Sequence, residues 1–154
     1  MELKLTGCCV VPGRAEGEAL VTSQSISFFG GVDPRTGNIT DRRHELFGRS
    51  IAGKVAVFPF GKGSCAGSLI MLELVRVGKA PAAIVNINTE PILATGPIIS
   101  KHFYGKEIPI LALDEGSFKK IESGQHLIVD AVQGFICISA QSVPVHKRPF
   151  VDGN

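Results

Sequence analysis

The chain has 154 residues, with 16 Lys and Arg against 14 Asp and Glu and a formal charge of +2. That length suits one domain, and that balance excludes a polybasic nucleic-acid binder. Only 19% of the residues are charged and 44% are apolar, against ~25% charged in ordinary soluble domains, which leaves uncharged surface for a buried partner interface.

The apolar stretches at 55–60 and 80–85 fall far short of the ~20 residues of a membrane span. Met1-Glu2-Leu3-Lys4-Leu5 lacks the basic start and long apolar middle of a signal peptide, so the expected location is cytoplasmic. Cys8, Cys9, Cys65 and Cys137 form no C-x-x-C pair, and without an export signal they are expected as free thiols. No metal is expected in this chain alone.

Residues 3–11 mix alternation with β-branched side chains and stop at Pro12-Gly13, which reads as a strand entering a turn. A second strand is expected at 18–22. Ser25-Ile26-Ser27-Phe28-Phe29 alternates before Gly30-Gly31 and reads either as a third short strand or as an extended approach to a loop. Residues 32–38 carry the Pro and Gly of a turn, and 41–53 form a polar, irregular connection of a length that often serves function.

Residues 54–60 then give a short apolar strand, and Gly61-Lys62-Gly63-Ser64-Cys65-Ala66-Gly67-Ser68 follows directly. A helix is expected over 69–77, closed by Gly78. The pattern recurs with a strand at 82–87, mixed loop and helix at 91–102, and a strand at 108–113, so the class is α/β with βαβ-like units. A short helix capped by Asp114 follows at 114–123, and 126–132 pairs with 135–139 as a hairpin over Gln133-Gly134. The folded domain is placed at 1–140, and the tail at 141–154, with Pro144 and Pro149, is expected to be loosely ordered.

The chemistry concentrates at 61–68. A glycine-rich turn opening a helix presents backbone N–H groups at the positive end of the helix dipole, which suits an anionic group or a developing oxyanion. Its purely structural reading is a tight turn in which Ser64 or Ser68 caps the helix. The nucleotide P-loop pattern fails, because Gly63 follows Gly61-Lys62 and Ala56 stands where the first glycine belongs. The dinucleotide fingerprint also fails, since Gly67 comes one residue late.

Weaker candidates lie elsewhere. His44, His102, His126 and His146 are far apart in sequence, so a Ser-His pair would have to be assembled by the fold, and surface positions are the plainer reading. Cys65 near a helix start is either a thiolate nucleophile or a small buried filler. Asn86 and Glu90 follow a strand where open sheets place ligand groups, while Glu90-Pro91 also reads as a helix start.

Taken together, Gly30-Gly31-Val32-Asp33-Pro34-x-Thr36-Gly37, the 61–68 loop, Ala80-Pro81-x-Ala83-Ile84-Val85-Asn86 and Glu90-Pro91-Ile92 resemble the small, swivel-domain subunit of aconitase X dehydratases. The likeness runs from residue 3 to about 139. It implies a swivelling β/β/α domain of aconitase type, docked on a large subunit that carries an iron-sulfur or iron centre, with the active site between them. It implies dehydration of 5-phosphomevalonate in a modified mevalonate pathway, or of cis-3-hydroxy-L-proline in proline catabolism. It also implies that Ser64 is the catalytic base. Lys62, Gly63, Cys65, Gly67 and Ser68 are then the candidate contacts to a small anionic substrate. Where the wider aconitase pattern continues Ser-Ser-Arg, this chain has Ser64-Cys65-Ala66, so no arginine is expected from the loop. Activity is expected only with the large subunit, and neither nucleic acid nor membrane is an expected partner. Two competing readings are a free-standing, non-catalytic module that binds an anionic metabolite at the same loop, and a single-chain thiol enzyme using Cys65.

Overall fold

The structure is a computed structural model that describes residues 3–61, 65–89 and 91–139. In chain order these form β1 (Leu3–Thr6), β2 (Cys8–Val11), β3 (Arg14–Val21), the short helical turn α1 (Phe28–Gly31), β4 (Val55–Val57), α2 (Cys65–Arg76), β5 (Ala83–Asn86), α3 (Pro91–Tyr104), β6 (Ile110–Ala112), α4 (Glu115–Phe118), β7 (His126–Asp130) and β8 (Phe135–Ser139). The expected tail at 141–154, together with Lys62, Gly63, Ser64 and Glu90, lies outside the described residues.

The first expected strand is divided at Gly7. Its N–H donates to the Gly134 oxygen at 2.9 Å, and a Cβ there would run into the Ala112 carbonyl oxygen, so the two strands change partners at a residue with no side chain. β1 pairs antiparallel with β8 and β2 antiparallel with β6, which places one stretch of chain at both ends of the strand order β1-β8-β7-β3-β4-β5-β6-β2. β3 also serves two partners: Arg14 to Glu18 pair antiparallel with β7, and Ala19 to Val21 pair parallel with β4. These two changes of partner divide the strands into two layers.

Alternation along the parallel strands fills two cores. Ala56, Phe58, Ile84 and Ile110 join Met71 and Leu74 of α2 and Leu93 and Ala94 of α3, while Val55, Val57, Ala83, Val85 and Leu111 join Leu127, Val129, Ile136 and Ile138 of the other layer. Successive side chains of a strand point to opposite faces, so strands covered on both sides read as unbroken apolar runs. The result is a β/β/α arrangement. β4, β5 and β6 run parallel, with α2 and α3 as the crossovers.

The helices follow local chemistry at their ends. α2 stops where Gly78 takes φ +75: the Gly78 N–H donates to Val75 O at 3.1 Å and the Lys79 N–H to Leu74 O at 2.8 Å, the paired closure of a Schellman motif. α4 starts at Asp114, whose carboxylate accepts from the Ser117 N–H at 2.6 Å. The 91–102 stretch differs from the expected mixture of loop and helix, since α3 runs unbroken through Pro97. Gly96 explains how, because a Cβ there would sit 3.0 Å from Met71 Cγ. The two helices therefore pack closely enough to offset the hydrogen bond that proline removes.

Candidate active site

The parallel strands end on one side of the sheet, where open α/β sheets place their ligands. β4 leads through Pro59 and Phe60 to Gly61, and α2 opens at Cys65, so the expected glycine loop joins strand to helix. Lys62, Gly63 and Ser64 and the side chain of Cys65 are outside the described part, but both flanks of the loop are defined.

On the strand side, Gly61 is buried and forms an isolated parallel bridge with Ile26. The stretch around Ile26 is thus an extended approach that ends in the α1 turn, not a third strand. On the helix side, Gly67 is buried, and a Cβ there would lie 3.8 Å from Phe28 Cβ. The Phe28 ring meets that of Phe58 with centroids 6.2 Å apart. A single segment, 26–28, therefore supports both ends of the loop. Ser68 is not the helix cap. It sits one turn into α2 and donates its hydroxyl to Ile92 O in α3 at 2.6 Å, which leaves its oxygen free to act as an acceptor.

Asn86, at the end of β5, is fully buried. Its Nδ2 donates to Phe58 O at 2.8 Å and its Oδ1 accepts from the Thr89 hydroxyl at 3.1 Å, so it ties the ends of β4 and β5 together beneath the loop. His44 is buried in the 41–53 connection, His126 is half-buried beside Glu16 at 3.4 Å, and His102 is exposed near the end of α3; His146 is outside the described residues. Phe29, Phe60 and Leu69, next in sequence to Phe28, Gly61 and Ser68, and Ile92, whose carbonyl accepts from Ser68, are 61%, 46%, 66% and 38% exposed.

Among the described residues there is no group of three or more His, Cys, Asp or Glu that could hold a metal ion. The described part of this chain thus does not fit an iron or iron-sulfur centre. Cys8 and Cys9 are exposed free thiols on an outer strand and Cys137 is a half-buried one. No described helix is long and apolar enough to cross a membrane.

The fold is thus a β/β/α domain with a small-residue loop between the carboxyl end of a parallel strand and the start of a helix. The model of the aconitase X swivel domain matches residues 4–138, and the chain belongs to that family. It is 44% identical over 147 residues to the phosphomevalonate dehydratase small subunit of Methanosarcina mazei, covering 95% of this chain and 98% of that protein. It is 46% identical over 133 residues to the protein of the same name from Methanothrix thermoacetophila, covering 86% and 93%. Among solved structures it resembles Thermococcus kodakaraensis aconitase X in its holo-form, with a TM-score of 0.80 and 43% identity over 89% of this chain and 98% of that one.

The sequence reading did not anticipate the role of segment 22–28. Its importance arises from contacts with residues 30 to 39 positions away, Phe58, Gly61 and Gly67, and no local pattern marks those.

Proposed function

We propose that this chain is the small subunit of a hydro-lyase that dehydrates 5-phosphomevalonate, with Ser64 as the base. The observation that carries the reading is the position of the glycine loop, at the carboxyl ends of the parallel strands and directly before the 12-residue α2, within a domain whose relatives are named phosphomevalonate dehydratase small subunit.

Ser64 immediately precedes Cys65, the first residue of α2. A serine hydroxyl is a weak base unless its oxyanion is stabilised, and the free N–H groups of a helix's first turn supply that stabilisation. Ser64, as its alkoxide, takes the proton from the carbon next to the one bearing the hydroxyl; the C–H electron pair becomes the new C=C bond, and the hydroxyl leaves with its C–O electron pair and takes a proton from solvent to become water. Lys62, Gly63, Cys65 and Gly67 are the candidate contacts to the substrate, and Ser68 contributes its acceptor oxygen. The large subunit docks on the rim of Phe29, Phe60, Leu69 and Ile92. The iron or iron-sulfur centre that the family resemblance implies is assigned to that subunit.

The test is coexpression with the candidate large subunit, anaerobic purification of the complex, and assay of 5-phosphomevalonate dehydration, with cis-3-hydroxy-L-proline as the competing substrate. Turnover of the phosphorylated acid, lost in Ser64→Ala while the complex stays intact, is expected. Wild-type turnover in that variant removes Ser64 as the base. Turnover of the proline derivative alone overturns the substrate, and failure to form any complex favours a free-standing anion-binding module.

A further inference from the structure

The 41–53 connection sends Leu46 and Ile51 into the core, but the side chains of His44 and Glu45 have no part in the proposed chemistry and converge on the segment that supports the loop. The Thr22 hydroxyl, on a residue only 2% exposed, donates to the Glu45 carboxylate and accepts from the Gln24 N–H at 3.0 Å. The same carboxylate oxygen of Glu45 accepts from the Ser23 N–H at 3.1 Å, and the Glu45 N–H donates to Gln24 Oε1 at 3.0 Å. Next to them, the Leu46 N–H donates to His44 Nδ1 at 3.0 Å. A backbone N–H can only donate, so Nδ1 is unprotonated and the neutral ring donates from Nε2 to Ser25 O at 3.2 Å. Residues 22–25 are thus gripped at four consecutive positions.

The gripped segment continues without a break into Ile26, bridged to Gly61, and Phe28, packed under Gly67. At its other end the Thr22 N–H donates to Val57 O at 2.9 Å, which fixes it to β4. We propose that Glu45 and Thr22 are positioning residues for the loop: the clasp sets where Gly61 leaves the sheet, and so where Ser64 stands relative to substrate. This rests on the reading of Ser64 as the base. The clasp itself touches no reacting atom. Its effect belongs on kcat, because displacing a catalytic group by about 1 Å can cost on the order of a hundredfold in rate.

The experiment compares Glu45→Ala, Glu45→Gln, Thr22→Val and Thr22→Ser in two measurements: kcat and KM of the two-subunit complex, and amide hydrogen exchange over residues 58–66 of the chain. Glu45→Ala and Thr22→Val are expected to lower kcat about tenfold with KM within about twofold, and to speed exchange at 58–66 about tenfold while exchange in β7 and β8 stays unchanged. Glu45→Gln and Thr22→Ser, which keep an oxygen in place, should return both readouts to within about twofold of wild type. A residue that only stabilises the fold would lower the melting temperature and leave kcat alone. Wild-type kcat, or wild-type exchange at 58–66, in both disruptive variants overturns the proposal. If the wild-type complex has no dehydratase activity, the base assignment fails separately, and the exchange measurement alone decides whether the clasp holds the loop.

Discussion

Ser68 and Ile92 are joined by a 2.6 Å hydrogen bond from the serine hydroxyl to the isoleucine carbonyl oxygen, which binds the first turn of α2 to the first turn of α3. The bond lies where the two crossover helices begin, beside the loop, and it fixes the angle at which α2 presents its amino terminus. Ser68→Ala removes the donor without changing the backbone. A loss of about 1 kcal/mol is expected, the net worth of a typical internal hydrogen bond, read as a fall of about 2–4 °C in melting temperature for a domain of this size. A melting temperature equal to wild type would show that water replaces the serine at no cost.

Asn86 carries a heavier structural load. Its side chain is fully buried and both of its polar atoms are engaged, with Phe58 O and the Thr89 hydroxyl. Asn86→Leu would bury an apolar group of similar size but leave the Phe58 carbonyl without this donor, a loss of about 2 kcal/mol. Equilibrium denaturation measures it directly. If Asn86 is instead a ligand group held at a cost to stability, the same variant would come out neutral or more stable.

Much of this architecture is legible in the sequence, and the parts that are not share a physical cause. The two-sided burial of β4, β5 and β6 shows as apolar runs, the Gly78 closure and the Asp114 cap show as single residues with known local roles, and the 126–139 hairpin shows through Gln133-Gly134. Each depends on neighbours within a few positions. The division of the first strand at Gly7 depends on Ala112 and Gly134, more than a hundred positions away. The run of α3 through Pro97 depends on Met71, and the clasp around Thr22 on Glu45. Such long-range contacts override local preference, and a pattern read along the chain does not contain them. The same holds for the site: the loop stands out by composition, while the segment that supports it does not.

Gly7 offers a sharp test of that long-range corner. Its φ is not in the left-handed region, so alanine costs nothing in backbone conformation. What it meets is main chain, because the added Cβ would collide with the Ala112 carbonyl oxygen and come within 2.8 Å of Leu113 Cδ2. Main chain in a paired strand cannot swing aside as a flexible side chain does, so Gly7→Ala is expected to destabilise the domain by about 2–3 kcal/mol, at the upper end of overpacking costs. Denaturant unfolding should show a lower midpoint with an unchanged slope. An unchanged midpoint would mean that β1 and β2 can part at this corner without strain.

Asp114 links folding to pH in a direction that follows from its cap. The Ser117 N–H, and then the Ser117 hydroxyl, hold its carboxyl below the ordinary aspartate range, because both donate to the charged form. A group with a depressed folded pKa adds stability that is fully present above its unfolded pKa, ~3.9 for aspartate, and that is lost as the pH falls through the folded value. Asp114→Asn keeps an oxygen able to cap the helix but removes the charge. Wild type should therefore exceed this variant in stability at neutral pH, and the gap should close as the solution is acidified through and below the usual aspartate range. Parallel denaturation series on the two proteins would show it. A gap that stays constant across that range would mean that the cap owes nothing to the carboxylate charge.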